Sequence, residues 1–353
     1  MDLQEFWFLL IGVLWAGYFL LEGFDFGVGM LLPFVPRDEE DRKTMLETIG
    51  PVWDGNETWL VVAGGATFAA FPAWYGTMFS GFYLALLLIL VFLIIRVVSF
   101  EWRGKHANSR WRSLWAWANT IGSTGAALVW GVGLSNLVYG VPLDSNGDFA
   151  GNFWDLFNAY TVFAGLTVVL LFAFHGATFL TMRSEGGLRE RAGRATRMLS
   201  VPATAAAAAF LIWTVAVAVD HNDKSVFPPI LPALVGIVAL LFAVAFVFVG
   251  RVGWSFVATA VGTVAAVATL FTSLYPRVMV SNPDFANSLT VENASSSHYA
   301  LAVMTVVALI FTPLVLLYQG WSYYVFRRRV TAAPIPTEPD VSPEAQPEIE
   351  PAA

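Results

Sequence analysis

Residues 22–30 read Glu-Gly-Phe-Asp-Phe-Gly-Val-Gly-Met, and residues 50–59 read Gly-Pro-Val-Trp-Asp-Gly-Asn-Glu-Thr-Trp. The two stretches end one long apolar run and begin the next. They contain four acids, Glu22, Asp25, Asp54 and Glu57, which lie inside the apolar runs or at their ends. A carboxylate near the middle of a bilayer costs roughly 2.5–3.5 kcal/mol on insertion scales. Acids at such positions therefore indicate a specific role.

The composition is that of an integral membrane protein. The 353 residues are 57% hydrophobic and 13% charged, whereas soluble domains have about 25% charged residues. Much of the net charge of −7 comes from five acids beyond residue 330, and the rest of the chain is close to neutral, so nothing favours a nucleic-acid partner. Cysteine is absent, which excludes disulfides, thiolate-ligated haem and cysteine-ligated iron–sulfur clusters.

Nine apolar runs are long enough to cross a bilayer, for which a helix needs roughly 20 residues. We predict an all-α integral membrane fold with nine transmembrane helices, arranged as two four-helix bundles plus one peripheral helix. The second run is interrupted by Gly64-Gly65 and Pro72. The predicted spans are Phe6–Leu32, Glu57–Trp74, Thr77–Val98, Trp115–Tyr139, Phe157–Thr181, Ser200–Val219, Pro229–Val249, Gly253–Tyr275 and Tyr299–Phe326.

The basic residues alternate between loops and so predict the orientation. Of the 19 Lys and Arg residues, 17 lie in or beside alternate loops on one side, and only Lys224 and Arg277 lie on the other. The positive-inside rule then predicts an outside N-terminus and a cytoplasmic C-terminus. The four acids are expected near the cytoplasmic side.

The chain is predicted to contain one domain and a tail. Residues 1–330 form the transmembrane helical domain. Residues 331–353 form an acidic, Pro-rich tail without aromatic residues, a composition typical of disorder, on the cytoplasmic side. The first run lacks the basic region and cleavage site of a signal peptide, so we expect it to be retained as a helix.

Asp25 and Glu22 are three residues apart, so they project from one helical face. Acids inside spans mark ion sites and proton relays, and a desolvated carboxyl group can exchange protons near neutral pH. The structural alternative is that the pair binds a base, such as Arg96, and locks two helices together. Both interpretations remain open, with function favoured for Asp25.

Asp54 and Glu57 have a simple structural interpretation. Asp-x-x-Glu before an apolar run is typical of a capping box, with Asp54 at the N-cap and Glu57 at the third helical position. A cap does not explain why Trp53, Asn56 and Trp59 surround the acids. A cap at the cytoplasmic mouth of a helix is also a place where protons can be taken up.

The histidines argue against haem in this chain. Haem in a helix bundle typically needs axial His or Met side chains that face one another. Among the four histidines only His175 lies well inside a predicted span, and a single buried histidine is more often a hydrogen-bonded core residue or a relay member. Spacing typical of a metal site does not occur either.

Taken together, these motifs resemble subunit II of cytochrome bd-type quinol oxidases. The resemblance rests on residues 22–30, on Trp-Asp-Gly-Asn-Glu-Thr-Trp-Leu at 53–60 and on Ala-Gly-Gly-Ala-Thr-Phe-Ala-Ala-Phe-Pro at 63–72. Shorter similarities extend it to about residue 325, and the tail lies outside it.

The resemblance implies a respiratory complex of the bacterial plasma membrane that oxidises quinol and reduces oxygen to water. The partner would be a haem-bearing subunit I with two b-type haems and one d-type haem, while this chain would bind neither haem nor metal. A structural quinone in this subunit and a small accessory subunit are left open. The resemblance also implies a cytoplasmic proton route at the subunit interface, with Asp54 near its mouth and Asp25 as the helix-one acid.

We therefore expect Asp54 to collect protons and Asp25, with Glu22 nearby, to pass them towards the haem subunit. Glu57 belongs to the same predicted route. Two other classes of function stay open: a secondary ion transporter with Asp25 as its ion site, and a purely structural assembly subunit. The sequence shows no convincing inverted repeat with broken helices, which disfavours the transporter.

Overall fold

The computed structural model describes residues 2–330, and this part of the chain is almost entirely helical. The predicted tail, 331–353, lies outside the described residues. Two short strands, β1 (Arg277–Met279) and β2 (Leu289–Thr290), pair antiparallel. The α-helices of the described part are α1 (Leu3–Leu31), α2 (Glu39–Ile49), α3 (Trp53–Ala70), α4 (Pro72–Gly81), α5 (Tyr83–Trp102), α6 (Ser109–Tyr139), α7 (Ala159–Arg183), α8 (Gly186–His221), α9 (Ile230–Phe248), α10 (Val252–Leu274) and α11 (His298–Val325).

Eight helices in residues 2–330 are long and apolar enough to cross a membrane: α1 and α5 to α11. The chain is thus a multi-pass membrane protein. α3, with 18 residues, is not among the eight. The ninth crossing therefore remains a prediction, as do the two four-helix bundles and the outside N-terminus.

The second and third predicted spans have other bounds in the structure. They were expected at Glu57–Trp74 and Thr77–Val98, but α3 ends at Ala70 and the next long helix is α5. Phe71 leaves the helical conformation, with φ −133° and ψ 69°, and Pro72 starts α4. Proline lacks an N–H group and disfavours helical geometry in the residue before it, so it ends α3.

α2 lies where the sequence indicated only a short charged loop. The side chain of Asp38 caps it by accepting a hydrogen bond from the Asp41 backbone N–H at 2.9 Å. Met45 and Ile49 of α2 are buried in a cluster formed with the ends of α1 and α7. A capped helix with one apolar face is therefore held against the bundle.

The basic loops meet at one end of the bundle. Arg103, just after α5, lies 2.7 Å from Glu39 of α2, and Arg191 of α8 pairs with Asp41 of α2. The chain after α11 returns to the end of α7, where the Val330 backbone N–H donates a hydrogen bond to the Arg183 carbonyl at 2.8 Å. This end of the molecule is called the basic side below.

α1 lies at the centre of the bundle and contacts α3, α6, α7 and α10. Its closest crossing is with α7, where Gly27 and Gly176 meet backbone to backbone. A Cβ atom built on Gly27 would overlap the carbonyl oxygen of Phe172. Small residues allow membrane helices to approach this closely. The crossing fixes the depth at which α1 presents its polar side chains.

α11 packs at the edge of the bundle. In this helix, which is described throughout, Leu301 is the one buried residue. Its first turns are fastened to α1 by Trp7, whose indole N–H lies 3.2 Å from the Leu301 carbonyl and 3.0 Å from the Thr305 hydroxyl. Most of the α11 surface is thus free to contact lipid or another chain.

Candidate functional site

A stripe of polar side chains runs along the buried face of α1. Tyr18, Glu22 and Asp25 follow one another at spacings of four and three residues, which places them on one side of a helix. All three are fully buried. The stripe lies in the half of α1 that ends at the basic side.

Glu22 forms an ion pair with Arg96 of α5. Arg96 Nη1 lies 2.8 Å from Glu22 Oε1, and both side chains are fully buried. The guanidinium group also lies over the rings of Phe26 and Phe100, at 5.0 and 5.2 Å from their centroids. Aromatic faces attract a desolvated cation. The structure therefore brings together Glu22 and the base that the sequence offered as its structural partner.

Replacement of Arg96 with Gln is expected to destabilise the folded chain by about 3–5 kcal/mol, because removing one member of a buried pair leaves an uncompensated charge. The check is the thermal unfolding temperature of the purified, assembled complex. The matched control is Glu22→Gln combined with Arg96→Gln. This double variant should regain most of the lost stability, and equal losses in the single and double variants would contradict the ion-pair explanation.

Asp25 is tied to α3 and α11 through Asn56. The Asn56 side-chain amide donates a hydrogen bond to Asp25 Oδ2 at 2.6 Å. The Asn56 carbonyl oxygen accepts hydrogen bonds from Tyr323 at 2.7 Å and from Gln319 at 3.1 Å. Because the donors on α11 require an acceptor, the amide is oriented with its NH₂ group towards Asp25. Asp25 is thus connected to α11 through a single side chain.

The predicted capping box at Asp54 and Glu57 is wrong. α3 already begins at Trp53, its N-cap is Val52, and no side chain caps it. Asp54 lies in the first turn with an exposed side chain, and Glu57 is half-buried and within electrostatic range of Arg96. The helix begins two residues earlier than the capping box requires, so both acids are helical residues, with Asp54 at the surface and Glu57 half-buried. The two acids therefore have different environments.

The aromatic residues of this motif pack on neighbouring helices. Trp53 lies 5.3 Å from Phe100 of α5, measured between ring centroids. Trp59 covers Gly17 of α1 so closely that a Cβ atom there would overlap its ring. These contacts hold α3 against α1 and α5. They explain the two tryptophans by packing rather than by contact with the acids.

Several buried polar atoms around the stripe have no protein hydrogen-bond partner. In the described part of the chain they include Tyr18 Oη, both Glu22 oxygens, Asp25 Oδ1 and the Trp130 indole nitrogen. Arg96 and Glu22 are close, but the N–H groups of the Arg96 guanidinium do not point at the Glu22 carboxylate oxygens with hydrogen-bond geometry. Buried polar atoms without protein partners are typically satisfied by bound water. These atoms of the stripe are therefore able to hydrogen-bond water.

A cavity of about 390 Å³ opens next to Tyr323 on the basic side. Its lining includes Thr48, Val52 and Tyr323, together with Arg183 and Arg327. Tyr323 is the residue that donates to Asn56, so the cavity adjoins the Asp25 network. One tyrosine and one asparagine thus lie between this cavity and Asp25.

His175 is a hydrogen-bonded core residue. Its Nε2 lies 3.2 Å from the Leu20 carbonyl, which can only accept, so Nε2 carries the proton. Its Nδ1 lies 2.7 Å from the Thr259 hydroxyl, and its ring stacks on Phe256 at 4.7 Å. Both ring nitrogens are engaged by protein groups, which does not fit an axial haem ligand. Residues 2–330 also contain no group of three or more His, Asp or Glu side chains arranged to hold a metal ion.

Sequence reasoning missed four members of the site: Tyr18, Trp130, Gln319 and Tyr323. Tyr18 was detectable, because it lies four residues before Glu22 on the same helical face. Gln319 was detectable as an amide within an apolar run. The pairing of α11 with α3 has no local signal, since the partners are more than 260 residues apart along the chain.

Similar proteins are known for nearly the whole chain. A family model described as cytochrome bd terminal oxidase subunit II matches residues 3–326. Cytochrome bd ubiquinol oxidase subunit 2 of Bacillus subtilis (strain 168) is 40% identical over 330 residues, which cover 94% of this chain and 97% of that protein. Cytochrome bd-I ubiquinol oxidase subunit 2 of Escherichia coli (strain K12) is 37% identical over 363 residues, covering 93% and 95%.

A solved structure has the same fold. A chain in the structure of bd oxidase from Geobacillus thermodenitrificans superposes with a TM-score of 0.74 over 93% of this chain and 98% of that chain. The two sequences are 18% identical, so this likeness concerns the fold alone.

Proposed function

Since this chain belongs to the cytochrome bd terminal oxidase subunit II family, we propose that it conducts protons from the basic side to a haem-bearing partner that reduces oxygen to water. Membership makes the chain a subunit of an oxidoreductase complex with a partner subunit. The observation that carries the proposal is the buried stripe of Tyr18, Glu22 and Asp25, in which Tyr18 Oη, both Glu22 oxygens and Asp25 Oδ1 have no protein hydrogen-bond partner.

The proposed route begins at the surface. Asp54, exposed on the first turn of α3, collects protons, and half-buried Glu57 carries them inward. The cavity beside Tyr323 provides water access to the Asn56–Asp25 contact. Asp25 and Glu22 then pass protons along α1 towards the partner. Each oxygen molecule reduced to water takes up four protons and four electrons, and the electrons come from two quinol molecules.

The proposal assigns no haem to this chain. The binding of both His175 nitrogens by Leu20 and Thr259 supports this assignment. The b- and d-type haems are assigned to the partner subunit, where they supply the electron transfer and oxygen chemistry. A structural quinone and a small accessory subunit have no residues assigned to them in this chain.

We place the complex in the bacterial plasma membrane with the basic side in the cytoplasm. The clustering of the basic loops at one end supports this orientation through the positive-inside rule. Proton uptake from the cytoplasm, with quinol protons released outside, would build a membrane potential without a pump.

A structural role is the second candidate, and the Glu22–Arg96 ion pair favours it. In that case the acids lock α1 to α5 and stabilise the partner. Changing them would then cause loss of haem from the complex, whereas a proton route predicts slow turnover with full haem content.

The test is to purify the complex through a tag on this chain and to record its visible spectrum. We expect b- and d-type haem absorption together with a second polypeptide. Detergent dissociation of the two chains should leave the haems with the partner and this chain colourless. A colourless single chain that moves ions in vesicles would support a transporter instead, and haem retained by the separated chain would refute the haem-free assignment.

A further inference from the structure

An apolar cleft opens on the flank of the bundle. It has a volume of about 660 Å³ and is lined by α1, α6, α7 and α8. Its deeper lining includes Met30, Thr124, Val169 and Ala173. Val169 lies 14 residues before the end of α7, which corresponds to about 21 Å of helix. The cleft therefore extends from the basic side well into the membrane span.

Arginine side chains line the mouth of the cleft. Arg191 is held in place by Asp41 and by the Val35 carbonyl, which accepts a hydrogen bond from its Nε at 3.0 Å. Arg194, one turn further along α8, is exposed and forms none of the ion pairs found in residues 2–330. One cation is thus fixed, and a second is available for an anion.

An aromatic pair lies beside the mouth of the cleft, and its Phe34 belongs to the lining. The rings of Phe34 and Trp117 meet edge to face at 5.7 Å, and the side chains are 67% and 46% exposed. Exposed aromatic residues of this kind collect where a membrane protein meets the lipid headgroups. The mouth of the cleft therefore lies at headgroup depth, and its interior lies at acyl-chain depth.

α8 supports the same depth assignment. With 36 residues it is about 54 Å long, whereas the hydrocarbon core of a bilayer is about 30 Å thick. Its first turns, which carry the arginines, therefore project from the hydrocarbon on the basic side. Arg194 is then positioned to meet a phosphate group rather than an acyl chain.

We propose that this cleft binds an anionic phospholipid of the bilayer, with the phosphate at Arg194 and one acyl chain along α7. Charge complementarity selects this occupant. A transmembrane helix of another protein would bring an apolar surface to an unpaired arginine, whereas an anionic headgroup satisfies the arginine and an acyl chain fills the apolar interior. Basic pockets between membrane helices have the chemistry that anionic headgroups require. The site is independent of the proposed proton route.

The experiment uses the complete oxidase in nanodiscs of equimolar phosphatidylglycerol and phosphatidylethanolamine. A small fraction of the phosphatidylglycerol carries a photoactivatable acyl chain, and the labelled peptides are mapped after illumination. We expect labelling within residues 169–173 and 195–199. Arg194→Gln should lower this labelling about fivefold, the factor expected for one basic residue near an anionic headgroup. Turnover should remain unchanged.

Two further variants sharpen the test. Arg110→Gln removes an exposed basic residue of the same side outside the cleft, and it should label like the wild-type protein. Ala195→Phe fills the cleft and should abolish labelling by both the phosphatidylglycerol probe and a phosphatidylethanolamine probe. Equal labelling in the wild-type and Arg194→Gln complexes would overturn the proposal. So would absence of labelling in the wild-type complex, which would show that another chain covers the cleft.

Discussion

The Asp25→Asn variant is expected to reduce oxygen with a turnover roughly ten- to a hundredfold lower than the wild-type complex, while its haem content stays unchanged. Asparagine keeps the size of the side chain and its contact with Asn56, but it cannot release a proton. Groups that transfer protons commonly contribute factors of about 10² to 10⁴ to a rate, and water can replace part of this contribution. Oxygen consumption, normalised to the haem spectrum, measures the effect.

Asp54→Asn should also lower turnover, by less than Asp25→Asn, because the exposed position of Asp54 leaves bulk water as another donor. The matched control is Glu101→Gln, which neutralises an exposed acid at the end of α5 on the same side and should have no effect. Normal turnover in both Asp variants would contradict the proposed proton route. Loss of haem in both would support the structural role instead.

Replacement of Gly27 with Val is expected to prevent assembly of the complex. A Cβ atom at this position would overlap the Phe172 carbonyl and the backbone of Gly176. These are backbone atoms in two packed helices, so neither side can yield as a flexible side chain would. Overpacking typically costs about 1–3 kcal/mol even where side chains can adjust, and here we expect a larger loss. The measurement is the haem signal of membranes per unit of expressed chain.

Gly133→Ala is the matched control for this variant. Gly133 also lies within a membrane-crossing helix, α6, but a Cβ atom there would meet nothing within 4 Å. The Gly133→Ala complex should assemble normally, and the higher helix propensity of alanine should make it slightly more stable. Normal assembly of Gly27→Val would show that α1 and α7 can separate, against the close crossing described above.

Local patterns predicted much of this fold, and tertiary contacts decided the rest. The apolar runs predicted the helices of α6, α7, α9 and α10 to within a few residues at most ends, because membrane spans have a strong compositional signal. The bounds near Phe71 were missed because the apolar run continues across Pro72, although the proline is itself a local signal of a helix break. α2 was missed because its apolar face is short and interrupted by charges.

In the candidate site, too, some residues could be recognised from the sequence and others could not. Asp25 and Glu22 stand out in the sequence because acids are rare inside apolar runs, and Arg96 stands out for the same reason. The sequence assigned Asp54 and Glu57 one shared role, but the structure separates an exposed acid from a half-buried one. α3 begins two residues earlier than the predicted cap implied, and this places both acids within the helix. The start of a helix without a side-chain cap has no strong signal in the sequence.

The contact between α11 and Asn56 has a consequence for the synthesis of the chain. Among residues 2–330, α11 is the last helix to leave the ribosome, yet Gln319 and Tyr323 supply both donors to the buried Asn56 carbonyl. A chain that stops before α11 leaves this acceptor without its partners, which costs about 1–3 kcal/mol. The surroundings of Asp25 are therefore completed only when α11 has inserted, so the network distinguishes a chain that contains α11 from one that stops before it.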